Sequence, residues 1–292
     1  MNEYAPTKSN FRKIIIGLLI AFSVVVAAAY LLLSPVVATP LYYALLFYPA
    51  EADQEYYDAC LVPETTRKEV SFKAPDGSVL HGFYFKKKNS PYTILVSHGN
   101  AGNVSYRMHV VQLLSRAGAS VFIYDYEGYG KSTGEPSLKN ICDDGLAAFD
   151  YLVNNLGIKP NRIVLYGESL GSGVSCHIAS ERPHAGIILQ SGFSSLMAVA
   201  REKINILNAY PPQLYPSPSL DNKAYLANEK QPLLIIHGTD DSLIPISQAY
   251  EVYKTGNQKK TLLAIEGAGH NDVYMVGPDK ILSSVRSFLE SI

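Results

Sequence analysis

The chain has 292 residues, is 47% hydrophobic and carries a net charge of -1. That is enough apolar material for one sizeable core and a small addition, and the charge balance makes no electrostatic case for nucleic acid. No internal repeat or low-complexity tract is present.

Residues 1–13 are polar and include Lys8, Arg12 and Lys13. Residues 14–33 carry no charge. As a helix this run is about 30 Å long, the thickness of a bilayer core. It reads as a transmembrane signal-anchor behind a cytoplasmic tail, 1–13. The rival reading is a cleaved signal peptide with Ala27-Ala28-Ala29 as the processing site. A signal peptide's apolar region is usually only about 7–15 residues, and the alanines lie inside the run. Behind it come Glu51, Asp53, Glu55, Asp58 and Glu64 before any basic residue. The positive-inside rule therefore puts the N-terminus in the cytoplasm and the rest of the chain outside it. If the segment is cleaved, the product is secreted or periplasmic.

Residues 34–67 read as a juxtamembrane linker. Its first part, 34–50, is apolar but broken by Pro35 and Pro40, too short for a second span. Tyr42, Tyr43 and Tyr48 suit a membrane interface, and equally suit packing on the following domain.

From residue 68 the pattern alternates strands and helices. Strands are expected at 68–74, Val79–Lys87, Thr93–Ser97, 119–124, 163–166, 185–190, 232–237 and 261–265, with Asp76-Gly77 as a hairpin turn between the first two. Helices are expected at 104–117, 137–156, after residue 169, and at 279–291. The loop 125–136 holds Gly128, Gly130 and Gly134 but lacks the G-x-x-x-x-G-K-[ST] spacing of a phosphate-binding loop. Residues 191–231, with Pro211, Pro212, Pro216 and Pro218, form a short lid, which implies an open site. Cys60, Cys142 and Cys176 are too few and too odd for a disulfide framework, and no spacing matches a zinc site.

The chemistry concentrates on Gly167-Glu168-Ser169-Leu170-Gly171. A serine on a sharp strand-to-helix turn pushes its hydroxyl above the sheet, and glycines two before and two after allow close backbone approach. The helix N-terminus behind it favours negative charge, so the N–H of Leu170 is a candidate oxyanion donor. Ser172, Ser194 and Ser195 lack this flanking. Downstream, polar loops follow two strand ends. One carries Asp240 and Asp241; the other carries His270 and Asp272. Upstream, the loop 98–103 offers a second backbone donor.

Five stretches, HGNAGN (98–103), YDYEGYGKSTGEPS (124–137), YGESLGSG (166–173), HGTDDSLIP (237–245) and EGAGHND (266–272), resemble the serine α/β-hydrolases. The likeness is nearest to the small membrane-anchored α/β-hydrolase-domain proteins, a group that includes depalmitoylating thioesterases and serine aminopeptidase-like enzymes. It covers residues 68–292. The resemblance implies a mostly parallel eight-stranded sheet with helices on both faces. It implies Ser169 as nucleophile, His270 as general base and, through the pattern H-G-x-x-D, Asp241 as the orienting acid. Asn100 and Leu170 would be the oxyanion donors. No cofactor or metal is needed. The expected activity is hydrolysis of an ester or thioester of a lipid-like acyl group. An amide-cleaving peptidase is the alternative, and a non-catalytic, membrane-tethered binding protein is the rival from another class.

Overall fold

A computed structural model describes residues 8–255 and 259–292. Residues 1–7 of the expected tail lie outside it. The chain opens with helix α1 (Lys8–Leu32), then α2 (Thr39–Leu46), β1 (Tyr48–Pro49), α3 (Gln54–Asp58), β2 (Thr65–Lys73), β3 (Val79–Lys87), β4 (Thr93–Ser97) and β5 (Ala101–Gly102). Next come α4 (Met108–Arg116), β6 (Ser120–Tyr124), α5 (Leu138–Asn154), β7 (Ile163–Glu168), α6 (Leu170–Glu181) and β8 (Gly186–Gln190). The remainder is α7 (Leu196–Lys203), α8 (Asn222–Leu226), β9 (Leu233–Gly238), α9 (Ile246–Thr255), β10 (Lys260–Ile265), α10 (Val273–Val276) and α11 (Pro278–Glu290).

Eight strands form the main sheet in the order β10-β9-β8-β7-β4-β6-β3-β2. Only β3 runs against its neighbours, pairing antiparallel with both β2 and β6. The central strands β4, β6, β7, β8 and β9 are buried almost throughout, which is why they read as unbroken apolar runs. Outside this sheet, β1 and β5 make a separate parallel pair, which strand-length patterning does not reveal.

Helices cover both faces. α4 buries Val110, Val111, Leu113 and Leu114 beside Ile281, Val285 and Phe288 of α11. On the other face, α5 presents Leu138, Ile141, Gly145, Ala148, Phe149 and Leu152, a helical spacing that turns one stripe inward. α6, α8 and α9 continue that layer. Ser137, Ser195 and Asp221 cap α5, α7 and α8 by accepting a backbone N–H three residues on.

The expected elements differ from the structure in a few places. β2 starts at Thr65 instead of 68, because its pairing with β3 extends to Lys87. The expected helix 104–117 opens with a 3-10 turn, Val104–Arg107. α9 has no counterpart among the expectations. His81 and His184 are buried; His81 Nε2 lies 2.6 Å from Glu69 Oε1. All three cysteines are free and buried.

Of the two readings of the segment 34–67, the structure shows packing: it runs along the body formed by the main sheet and its helices. Phe47, Tyr57 and Cys60 are buried. Arg67 in β2 donates through one guanidinium nitrogen to the carbonyls of Tyr57, Asp58 and Cys60, at 2.8, 3.3 and 3.2 Å. These carbonyls lie at and just past the end of α3, where the last carbonyls of a helix lack a full set of intrahelical partners. Ahead of this segment, 10–32 is the one described stretch long and apolar enough to cross a membrane, with mean hydropathy 2.8 and none of it buried.

Arg67→Met keeps the aliphatic stem and removes the three hydrogen bonds. Hydrogen bonds to a charged group contribute about 1.5–3 kcal/mol, so the variant is expected to lose stability on that order. Thermal unfolding in detergent checks it. An unchanged midpoint, together with unchanged protease resistance near residue 60, would show that the clamp is dispensable.

Candidate active site

β7 ends at Glu168 and α6 begins at Leu170, so a single residue makes the turn. That residue, Ser169, has φ +52° and ψ −115°, a conformation that costs a non-glycine residue about 1–3 kcal/mol. The turn persists because both flanks leave no room for another path. A Cβ on Gly171 would lie 2.0 Å from the carbonyl oxygen of Ser97 at the end of β4. The N–H of Ser169 also donates to the carbonyl of Gln190, the last residue of β8.

His270 Nε2 lies 2.9 Å from Ser169 Oγ, and His270 Nδ1 lies 2.7 Å from Asp241 Oδ2. A carboxylate only accepts, so Nδ1 carries the proton and Nε2 is left to accept from the serine hydroxyl. The second oxygen of Asp241 accepts the N–H groups of Leu243 and Ile244 at 2.9 and 2.8 Å. His237 approaches the carboxylate to 3.3 Å while donating to the carbonyl of Ile244 at 2.7 Å. Burial opposes ionisation of Asp241, but the hydrogen bonds from His237, His270 and the Ile244 N–H outweigh it. The carboxyl is held well below its usual range. Asp240 points to solvent and accepts only from Thr239. Asp272 accepts the N–H of Gly269 at 2.6 Å and so braces the loop that carries His270.

Leu170 is the first residue of α6, and Asn100 lies on the loop after β4; both line the cavity beside Ser169. Neither backbone N–H has a partner among the described residues. Asn100 is fixed from three sides. Its side chain donates to the Leu46 carbonyl at 2.7 Å, and its own carbonyl accepts from the Tyr48 N–H at 2.9 Å and the Tyr129 hydroxyl at 2.7 Å. Asn103 donates in turn to the carbonyls of Ala50 and Glu51. Residues 46–51 therefore clasp the loop 100–103. The sequence signal for this was the odd apolar stretch 34–50, whose tyrosines suited packing on the following domain without showing where.

Beneath that loop lies a second buried group that no motif singled out. Asp125 accepts from Tyr57 Oη at 2.5 Å and from the Val104 N–H at 2.8 Å, and His98 Nε2 is 3.7 Å away. Burial raises the Asp125 carboxyl to about 7, even against these donors. Burial, with the Arg107 cation nearby, pushes His98 down to about 3, so the two are not an ion pair at neutral pH. Gly130 is needed here: it has φ +54°, and a Cβ there would meet Tyr57 Oη and Asp125 Oδ2 at 2.0 and 2.2 Å. On the other side, Arg107 joins the loop to the turn. It donates to Glu168 at 2.8 Å and to the Ala101 carbonyl at 3.0 Å.

A cavity of about 280 Å³ opens beside Ser169. α2 walls it with Tyr42, Tyr43 and Leu46, and α7 with Leu196, Val199 and Ala200. A short lid leads to the expectation of an open site; here the cavity is walled on two sides, by the half-buried Tyr42, Tyr43 and Leu46 of α2 and by α7 of the lid.

A mostly parallel sheet with a serine on a strained strand-to-helix turn is the framework of a hydrolase, and the chain belongs to the α/β-hydrolase superfamily. The family described as serine aminopeptidase, S33, matches residues 89–231. An uncharacterised protein of Mycobacterium tuberculosis is 32% identical over 224 residues, 76% of this chain and 79% of that one. Alpha/beta hydrolase domain-containing protein 17B of Homo sapiens is 36% identical over 193 residues, 65% of this chain but only 64% of that protein. Among solved structures, an esterase of Pyrococcus furiosus shares the fold with TM-score 0.67 at 20% identity, over 84% of this chain and 98% of that one.

The raised carboxyl of Asp125 has a consequence for stability. An unfolded aspartate ionises near pH 4, whereas the folded one keeps its proton to about 7. Stability contributed by this group is therefore present at low pH and lost as pH rises through that window. Asp125→Asn fits the same two partners with one hydrogen bond reversed. The midpoint difference between variant and wild type should move in the variant's favour from pH 5 to pH 8. A constant difference would mean that Asp125 does not hold its proton in the fold.

Proposed function

We propose that the protein is a membrane-anchored serine hydrolase that cleaves an ester or thioester of an acyl chain. The observation that carries this is His270 bridging Ser169 and Asp241 at hydrogen-bond distance, beside an apolar cavity. In this reading His270 takes the proton of Ser169 as the hydroxyl attacks the carbonyl carbon. It returns that proton to the leaving alcohol or thiol when the tetrahedral intermediate collapses to the acyl-enzyme. A water then repeats the cycle and frees the acid. The N–H groups of Leu170 and Asn100 receive the oxyanion, each worth about 3 kcal/mol in the transition state. Asp241 keeps the imidazole in the required tautomer and stabilises its charged form.

Residues 14–33 are proposed as the retained anchor. The basic residues before and acidic residues after this segment support a cytoplasmic N-terminus and an extracytoplasmic hydrolase domain. A soluble form starting near residue 30 would instead identify a cleaved signal.

A peptidase reading draws on the description of the matched family. The cavity argues against an aminopeptidase. Its described lining contains no carboxylate to receive a substrate ammonium group, and its one charged side chain is Lys203. Burying an unpaired ammonium beside a lysine is costly.

A fluorophosphonate probe should label the purified protein at Ser169 and leave Ser169→Ala unlabelled. On a small ester, Asp241→Asn should lose about four orders of magnitude in kcat, while Asp240→Asn stays near wild type. The assignment of the acid would be falsified if Asp240→Asn were the crippled variant.

Across p-nitrophenyl esters and acyl-thioesters from short to long chains, kcat/KM should rise with chain length until the cavity is filled. A buried methylene contributes about 0.8 kcal/mol, roughly fourfold per carbon at most. Aminoacyl and dipeptide amides should be poor substrates. Faster turnover of the amides than of every ester would replace the acyl-ester reading by the peptidase.

A further inference from the structure

The apolar helix and the lid are joined. Tyr30, on the last turns of α1, stacks on Tyr210 of the lid with ring centroids 4.6 Å apart. Its hydroxyl donates to the Ala209 carbonyl at 2.7 Å. Immediately past the apolar run, Ser34 and Pro35 are buried, and the Val36 N–H donates to the Leu214 carbonyl at 2.8 Å. Tyr42 of α2 then reaches back to the Leu33 carbonyl at 3.1 Å. The foot of α1, the start of α2 and the proline-bent part of the lid thus meet at one corner of the molecule.

Large apolar side chains surround that corner without protein cover. Val37 and Leu41 on the α2 side are 54% and 55% exposed, and Ile206 on the lid side is 64% exposed. Their chain neighbours Tyr42 and Leu207 line the cleft, bounded by Tyr43 of α2 and Val199 of α7, that leads to Ser169. A scattered exposed leucine needs no explanation, but these three flank the junction at which Tyr30 ties the exposed helix α1 to the lid, and form a rim there.

The geometry points to a bilayer-docking surface: the rim of Val37, Leu41 and Ile206 sits in the lipid interface, and an acyl chain enters the cavity directly from the membrane between α2 and α7. The occupant is the lipid surface because the rim adjoins a helix whose own surface is apolar all round. The Tyr30–Tyr210 contact holds the rim at that helix's foot. Docking places the cleft where a membrane-resident acyl chain ends, so the chain passes from hydrocarbon to an apolar cavity without crossing water. This inference rests on the anchored acyl-hydrolase reading above and adds the route by which substrate arrives.

The chain contains no tryptophan, so an introduced one reports alone. Leu41→Trp and Ile206→Trp place it on the rim. Lys88→Trp places it on the exposed turn after β3, at the sheet edge where β4 begins, opposite Ser169. Full-length variants are reconstituted in phosphatidylcholine vesicles with or without bromine on the acyl chains. The two rim tryptophans should be quenched about twofold or more, as expected a few ångströms below the headgroups, and Lys88→Trp should not. Rim tryptophans as bright as Lys88→Trp, in protein that still sediments with the vesicles, would overturn the docking surface.

A second variant tests the junction. Tyr30→Ala should lower kcat/KM about tenfold on a long-chain acyl-thioester embedded in the vesicles, a loss of positioning. It should leave p-nitrophenyl acetate hydrolysis by the same sample unchanged. An equal effect on both substrates, or on neither, would refute the lid junction. Absence of probe labelling at Ser169 in wild type would sink the hydrolase reading itself, and the quenching result would still decide the docking surface.

Discussion

The site depends on how closely the N-terminus of α6 sits against the end of β4. The contact is backbone on backbone, with the missing side chain of Gly171 facing the Ser97 carbonyl. This closeness holds Ser169 at a positive φ that the residue would not adopt alone, and it brings the loop after β4 within reach of the serine. If α6 stood further off, the turn could relax and Ser169 would sink toward the sheet. Strain in the turn is thus held by packing on both sides, not by any single hydrogen bond.

The loop that faces the serine is not self-supporting. Asn100 and Asn103 draw on Leu46, Tyr48, Ala50 and Glu51 for their hydrogen bonds, and the loop's underside rests on Asp125, Tyr57 and Arg107. Most of these partners belong to the stretch between the apolar helix and the main sheet. The same stretch supplies one wall of the cavity through α2. The hydrolase body and the segment leading from the apolar helix are therefore one structural unit around the site. A change in that segment reaches the candidate oxyanion donor through two residues.

Charge is arranged with similar economy. Asp241 is held ionised by donors from three directions, which suits a group facing an imidazole. Asp125, four strands along the sheet at the end of β6, has its carboxyl raised to about 7 by burial, which suits a group that braces a loop through a tyrosine hydroxyl. The two carboxylates differ both in how deeply they are desolvated and in the donors that meet them, and that balance decides which one carries charge.

The sequence by itself determined the strand order along the chain, the elbow at Ser169 and the order of serine, acid and histidine. These are legible because they rest on local rules: buried parallel strands read as apolar runs, and a tight turn demands glycine at fixed spacing. Asp241 over Asp240 needed a family pattern, since adjacent aspartates look alike until a partner selects one. Only the tertiary structure decided the role of 34–67, the burial of Asp125 against Tyr57, and the walling of the cavity by α2 and α7. Each of these joins residues dozens of positions apart through contacts with no period and no motif. Tyr57 meets Asp125, and Tyr30 meets Tyr210, only after the sheet has brought them together.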